Sequence, residues 1–233
     1  MNKELFIEEL KKIDINITDY QLEQLENYYN LLIEENKKYN LTSITNKEDV
    51  YLKHFYDSLT ILKIIKLNNQ ALCDIGTGAG FPGIVLKIMY PNLKVTLIDS
   101  TLKKCNFLNI VIEKLKLKEI EVINKRAEIY SKNVREKYDI VTSRAVAPLK
   151  HLLEYSIPLV KVNGYYIAMK GNIKEELIGI NNYEKKLNIK EIDRIEFNLP
   201  IENSYRTLIK YKKTSPTNLI YPRKYNEIKK KNL

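Results

Sequence analysis

A chain of 233 residues, 44% apolar and 29% charged, makes one good-sized soluble domain, or one with an appendage, and can bury a full core. No apolar run approaches the ~20 residues of a membrane span, and the N-terminus has no signal-peptide core, so a cytoplasmic protein with no membrane attachment is expected. Its two Cys (Cys73, Cys105) and two His (His54, His151) are too scattered for metal-ligand spacing, and both thiols read as buried rather than bridged.

Residues 1–67 read as a helical block. Leu5, Phe6, Leu10 and Ile13 form a first amphipathic face. Thr18-Asp19-Tyr20-Gln21 is a capping box that opens a second helix, with Leu22, Leu25, Tyr29, Leu32 and Ile33 on one side. Asn46 with Asp49 caps a third, running through Val50, Phe55, Leu59, Leu62 and Ile65. No Gly- or Pro-rich linker follows, so the block is expected to pack on the next unit, residues 68–212.

In that unit strand and helix signals alternate. Strands are predicted at 71–75, 94–99, 120–124, 138–142 and 165–169, with helices at 84–89, 101–116, 149–160 and 172–187. Asn163-Gly164 reads as the stop after the third of these helices. Residues 189–198 and 205–211 read as a closing strand pair. The pattern predicts an α/β fold with a doubly wound, mostly parallel sheet, preceded by the helical extension.

The net charge of +10 is concentrated at the end: residues 206–233 hold nine Lys/Arg against one acid, Glu227. Residues 213–233 are expected to be an extended or disordered basic tail. Tyr211, Tyr221 and Tyr225 among the cations suit an RNA backbone and its bases; a solvated tail fits the composition equally well. Lys outnumbers Arg by 33 to 6, so an Arg that remains points to a need for its planar fork. Arg126, Arg144, Arg206 and Arg223 are the candidates, Arg223 as an RNA contact.

The organising stretch is Ala71–Gly83, a short buried strand that turns through Gly76, Gly78 and Gly80 into a helix. Such a turn brings bare backbone up to a nucleotide-like ligand at the carboxyl edge of the sheet. Gly78 to Gly83 matches the dinucleotide fingerprint, and Asp99 lies about 20 residues on, where a ribose-binding acid belongs. Asp74, two residues before Gly76, argues against a pyrophosphate. Its carboxylate suits a cationic ligand without phosphates, such as S-adenosylmethionine, and Asp-x-Gly-x-Gly-x-Gly (74–80) resembles the first motif of class I methyltransferases.

Ligands lie beyond the strand ends in such sheets. Asp99 ends the second strand and is read as a ribose acceptor, or as the cap of the next helix. Ala127 and Glu128 follow the third and can meet the adenine edge; Glu128 is equally well a first-turn helix acid. Phe81 covers the methionine portion of the cofactor or packs inward. The fourth strand ends in Ser143-Arg144-Ala145, without the Asn/Asp-Pro-Pro-aromatic motif of amino-methylating enzymes or the Cys of pyrimidine C5 enzymes. Guanine N7, a lone pair with no proton at neutral pH, needs neither a base nor a nucleophile, only positioning and charge management.

Asn40-Leu41-Thr42, His54-Phe55-Tyr56-Asp57-Ser58, Asp74 to Gly83, Leu97-Ile98-Asp99-Ser100, Ser143-Arg144-Ala145, Met169-Lys170-Gly171 and Tyr221-Pro222-Arg223-Lys224 recur in order. This set resembles the bacterial small-subunit (16S) ribosomal RNA guanine-N7 methyltransferases, the glucose-inhibited division protein B family, from about residue 20 to 225. The resemblance implies S-adenosylmethionine at Gly76, Phe81, Ala127, Glu128 and Arg144. It also implies that Lys103, Arg126, Lys170 and Arg206 face the RNA or the reacting centre, with Arg144 and Lys170 nearest the chemistry. The implied partner is 16S ribosomal RNA, in the small ribosomal subunit or its assembly intermediate, and the protein is expected to act as a monomer. Lys53 before His54 departs from many relatives.

Overall fold

The computed structural model describes residues 1–233. Its strands are β1 Ala71–Ile75, β2 Lys94–Asp99, β3 Ile120–Asn124, β4 Tyr138–Arg144, β5 Val160–Lys170, β6 Ile189–Asn198 and β7 Tyr205–Lys213. They form one sheet in the order β3-β2-β1-β4-β5-β7-β6. β1 to β5 are parallel, and β7 runs antiparallel to both β5 and β6. The central strands have the nearly continuous apolar character of strands covered on both faces.

The chain runs outward from β1 through β2 to β3, then crosses back to place β4 on the other side of β1. The connections after β1 and β4 therefore leave toward opposite sides of the sheet, with a crevice at its carboxyl edge. Register sets its depth. Ile75 pairs with Ile98 on one side and Ser143 on the other, so Gly76, Asp99 and Arg144 all emerge at one level.

The N-terminal helices cover one face of the sheet. Phe6, Leu25, Tyr28, Leu32 and Phe55 are fully buried in the same apolar cluster as Leu72, Leu86 and Leu97. The predicted capping box is present at Thr18, and its Gln21 does double duty. Gln21 Oε1 accepts from the Thr18 N–H, while Nε2 donates to the carbonyls of Ile88 and Met89 at 3.2 and 3.0 Å. It thus caps the end of the Gly83–Met89 helix, whose last carbonyls have no intrahelical partner. The third predicted helix starts at the Asn46 cap and winds on to Lys63, with a π-helical middle at Tyr51–Tyr56.

Three expectations are corrected. The helix from Leu149 ends at Ser156 with a 3-10 turn at Ile157–Leu159, and β5 begins at Val160. Asn163-Gly164 lies within that strand, in a register shift against β4; Gly164 packs so tightly on the Asp139 carbonyl that a Cβ would come within 2.8 Å. Of residues 172–187 only Ile180–Leu187 is helical, because Glu176 is turned inward to the Leu149 N–H (2.6 Å) and Lys170 (2.8 Å).

The third correction is the tail, which is docked rather than extended or disordered. Lys213 is wholly buried and donates to the carbonyls of Ile157 and Val160. Arg223 forks onto Glu154, at 2.9 and 2.8 Å, and Glu154 is itself fully buried. Arg135 donates to the carbonyls of Thr217 and Tyr221, and Ile228 anchors a last helix, Tyr225–Lys230.

Candidate cofactor and acceptor site

Two cavities open at the carboxyl edge and share Arg144 and Ala145. The larger, about 610 Å³, follows the loops after β1 to β4 and includes Gly76, Asp99, Arg126, Ala127 and Glu128; Tyr225 and Lys229 of the last helix close part of its wall. The smaller, about 350 Å³, lies between the ends of β4, β5 and β7 and the helical stretch 47–63.

Asp99 stands at the end of β2 on the larger cavity, but it does not cap the following helix, whose N-cap is Thr101 with no side-chain cap bond. Oδ2 accepts from the Gly78 N–H at 3.0 Å and Oδ1 from the Thr101 N–H at 2.8 Å, while the side chain lines the larger cavity. Each carboxylate oxygen keeps a further lone pair, so Asp99 can still accept from a diol.

Asp74 is placed otherwise than expected. It is fully buried behind the loop, where Oδ2 accepts from Thr77 Oγ1 (2.6 Å) and from the Gly83 N–H (2.8 Å). Burial pushes its carboxyl up to about 7, against the pull of those two bonds. Asp74 thus fills the helix N-terminus that a dinucleotide's phosphate would need, from within the protein.

The glycines divide the same way. Gly76, at φ +65, lines the larger cavity, and a Cβ there would strike Val146 at 2.6 Å, so the loops after β1 and β4 touch. Gly80, at φ +104, faces the Tyr28 hydroxyl, and Tyr28 in turn donates to the Ala79 carbonyl. Phe81 packs inward and lines neither cavity. Its ring stacks on His54 with centroids 4.3 Å apart, and the Arg144 guanidinium lies 5.4 Å from its centre.

Arg144 is held by three acceptors: the Lys53 carbonyl (3.0 Å), Asp57 Oδ2 (3.1 Å) and His54 Nδ1 (3.4 Å). A guanidinium only donates, so Nδ1 is bare and the His54 proton sits on Nε2, toward Thr42 Oγ1 at 3.0 Å. Burial first, then the Arg144 charge, lowers His54 to about 3. Asp57, 5% exposed, also takes Arg206 Nε on its other oxygen at 2.9 Å. Asp57 stands in the recurring His54–Ser58 stretch, but its role does not show there, because its partners lie 87 and 149 residues away.

Of the cations assigned to RNA, Lys170 and Arg206 come together with Arg144 around the smaller cavity. Lys170 donates to the Ala147 carbonyl at 2.9 Å. Arg126 binds the Glu128 carboxylate and lies 4.1 Å over the Tyr225 ring. Lys103 is exposed and lines neither cavity, although its neighbour Lys104 lines the larger one. Arg223 is spent on Glu154. Tyr225 and Lys229 were missed as cavity residues because the tail reads as a charge run with no address.

Comparison with known proteins agrees with this geometry. A family model described as "GidB: rRNA small subunit methyltransferase G" matches residues 21–208. The chain is 48% identical over 227 residues to the ribosomal RNA small subunit methyltransferase G of Acetivibrio thermocellus, covering 95% of this chain and 93% of that one. It is 48% identical over 206 residues to the protein of the same name from Mycoplasma capricolum, covering 87% of each. Among solved structures it is similar in fold to M. jannaschii TYW2 in complex with AdoMet, with a TM-score of 0.57 and 15% identity over 73% of this chain and 79% of that one. The precorrin-6y C5,15-methyltransferase of Geobacter metallireducens gives a TM-score of 0.51 at 13% identity, over 73% of this chain and 90% of that one. The sheet is thus that of the class I methyltransferases, and over nearly its whole length the chain belongs to the family of ribosomal RNA small subunit methyltransferases G.

Proposed function

We propose that this protein transfers a methyl group from S-adenosylmethionine to N7 of a guanine in small-subunit (16S) ribosomal RNA, acting as a cytoplasmic monomer. The observation that carries the reading is Arg144, fixed on three acceptors at the wall shared by the two cavities, where amino-methylating relatives of the fold place base-handling groups.

The larger cavity fits the cofactor. Its volume lies within the roughly 300–1,000 Å³ usual for small-ligand sites. Asp99 offers acceptors to a ribose diol, Gly76 offers close backbone approach, and Ala127 and Glu128 stand at the next strand end for the adenine edge. Asp74 removes the phosphate site that a nicotinamide dinucleotide would use. When bound, S-adenosylmethionine supplies an electrophilic sulfonium methyl. The chain's own residues then have to position an acceptor and manage charge, because guanine N7 carries no proton to remove. His54 suits that division of labour. Its Nδ1 lone pair is committed to Arg144, and its lowered basicity keeps it neutral throughout the physiological range.

The test is labelled methyl transfer to whole small subunits and to naked ribosomal RNA, with nucleoside analysis of the product, beside binding of S-adenosylmethionine and NADH. 7-Methylguanosine is the expected product. An exocyclic amine, ring carbon or ribose oxygen as acceptor would overturn the reaction. Tight cofactor binding with no transfer to either substrate would favour an RNA-binding assembly factor, and NADH binding alone an oxidoreductase.

A further inference from the structure

We infer that the smaller cavity receives the acceptor guanine and that Glu202, in the turn between β6 and β7, reads its N1/N2 edge; this rests on the guanine-N7 reading above. The cavity meets the larger one at Arg144 and Ala145, so an acceptor atom presented at that wall faces the methyl donor's side. Ile44, Met169 and Leu208 supply apolar surface for a flat ring.

Two carboxylates line the cavity, and they are not equivalent. Asp57 is spent, with one oxygen on Arg144 and the other on Arg206. Glu202 is within reach of a ligand. Its side chain is 33% exposed, and its partners are Lys53 Nζ at 2.5 Å and the Ser204 hydroxyl at 3.1 Å. Exposed ion pairs of this kind hold little free energy, so a base edge can replace them at small cost.

Guanine has O6 beside N7 on one edge and the N1–H and N2–H₂ donors on another. With N7 at the Arg144 wall, O6 meets cations and the donor edge needs an acceptor. Adenine places a bare N1 lone pair where guanine has N1–H, and a carboxylate repels it. In the transfer the carbon–sulfur bond breaks as the N7–carbon bond forms; the positive charge passes from sulfur to the purine, and no proton moves. The growing ring charge makes N1–H a stronger donor, so its bond to Glu202 tightens in the transition state. Four cations line the cavity, Lys53, Arg144, Lys170 and Arg206, and the carboxylate offsets their repulsion of the charged product ring.

The experiment is single-turnover methyl transfer at saturating RNA, using parent, Glu202→Ala, Glu202→Gln and Lys53→Ala proteins. The RNA carries guanosine or inosine, which lacks N2–H₂, at the position where the parent's product is mapped. A hydrogen bond to a charged group is worth about 10- to 100-fold in rate when lost. Glu202→Ala should lose that much with S-adenosylmethionine affinity unchanged, and Glu202→Gln less. Inosine should slow the parent and Lys53→Ala but not Glu202→Ala. A parental rate in Glu202→Ala, or an undiminished inosine penalty in it, would overturn the inference and leave the guanine-N7 reaction standing. A parent product other than 7-methylguanosine would overturn both.

Discussion

Replacing Asp57 with Asn should cost about 3 kcal/mol of stability, at the low end of the 3–5 kcal/mol measured for breaking buried ion pairs. The change conserves volume, so no cavity term enters. What is lost is the one charge between Arg144 and Arg206, whose side chains are 13% and 24% exposed. The amide also turns an N–H donor toward one of two groups that only donate. Arg206 can swing toward water and relieve part of this; Arg144, tied to the Lys53 carbonyl and stacked near Phe81, cannot. In a chain of this length each kcal/mol moves the melting midpoint by about 2–4 °C, so a fall of about 6–12 °C is expected. Urea unfolding of parent and variant measures the free energy directly, and calorimetry with S-adenosylmethionine reports whether Arg144 has moved. A loss below about 1 kcal/mol would place this bridge with exposed ion pairs and refute its role as the fixture of Arg144.

Arg144→Lys keeps the charge but cannot serve the Lys53 carbonyl, Asp57 and His54 together, so transfer should fall at least about tenfold with folding intact; near-parental rates would dismiss the fork geometry. Deleting residues 215–233 leaves Glu154 buried without Arg223 and opens the wall at Tyr225. It should lower stability by about 3 kcal/mol and weaken S-adenosylmethionine binding, and unchanged values of both would return the segment to a passive surface. Because burial lifts Asp74 to about 7, its contribution to stability is largest below pH ~4 and is lost as pH rises toward ~7. The stability of Asp74→Asn relative to the parent should therefore improve between pH 5 and pH 8; parallel urea curves would contradict this. For RNA binding, Lys104→Gln and Lys229→Gln should each flatten the log-affinity against log-salt slope by about 0.7–0.9, whereas Arg223→Gln should leave the slope alone and cost stability.

What the sequence disclosed, it disclosed through short-range patterns. Thr18 and Gln21 are three residues apart and form a capping box in any surroundings that allow a helix. β1, its glycines and the following helix are adjacent, and the register that levels Gly76, Asp99 and Arg144 follows from parallel strands of similar length. Asn163-Gly164 misled because a helix stop and an irregularity within a strand can both use a left-handed residue, which Asn163 is at φ 67. Only contact with β4 tells the two apart.

Charge was the least legible property, for a physical reason. A Lys or Arg in sequence shows its own sign but not the carboxylate that the fold brings to it. Of five cations assigned to RNA, four carry internal partners: Arg126 with Glu128, Lys170 with Glu176, Arg206 with Asp57 and Arg223 with Glu154. A phosphate gains little from Lys170, Arg206 or Arg223, whose side chains are largely buried beside their carboxylates, and removing the cation strands the carboxylate; the Arg126 side chain is 46% exposed. These residues fix the cavity walls and dock the C-terminal helix. On the proposed function, electrostatic attraction of RNA would fall to lysines without ion pairs, such as Lys103, Lys104, Lys125 and Lys229, the last three of which line the larger cavity. If those lysines attract the polyanion and the larger cavity holds the methyl donor, the two share residues, and RNA that settles there lies across the mouth of the cofactor site.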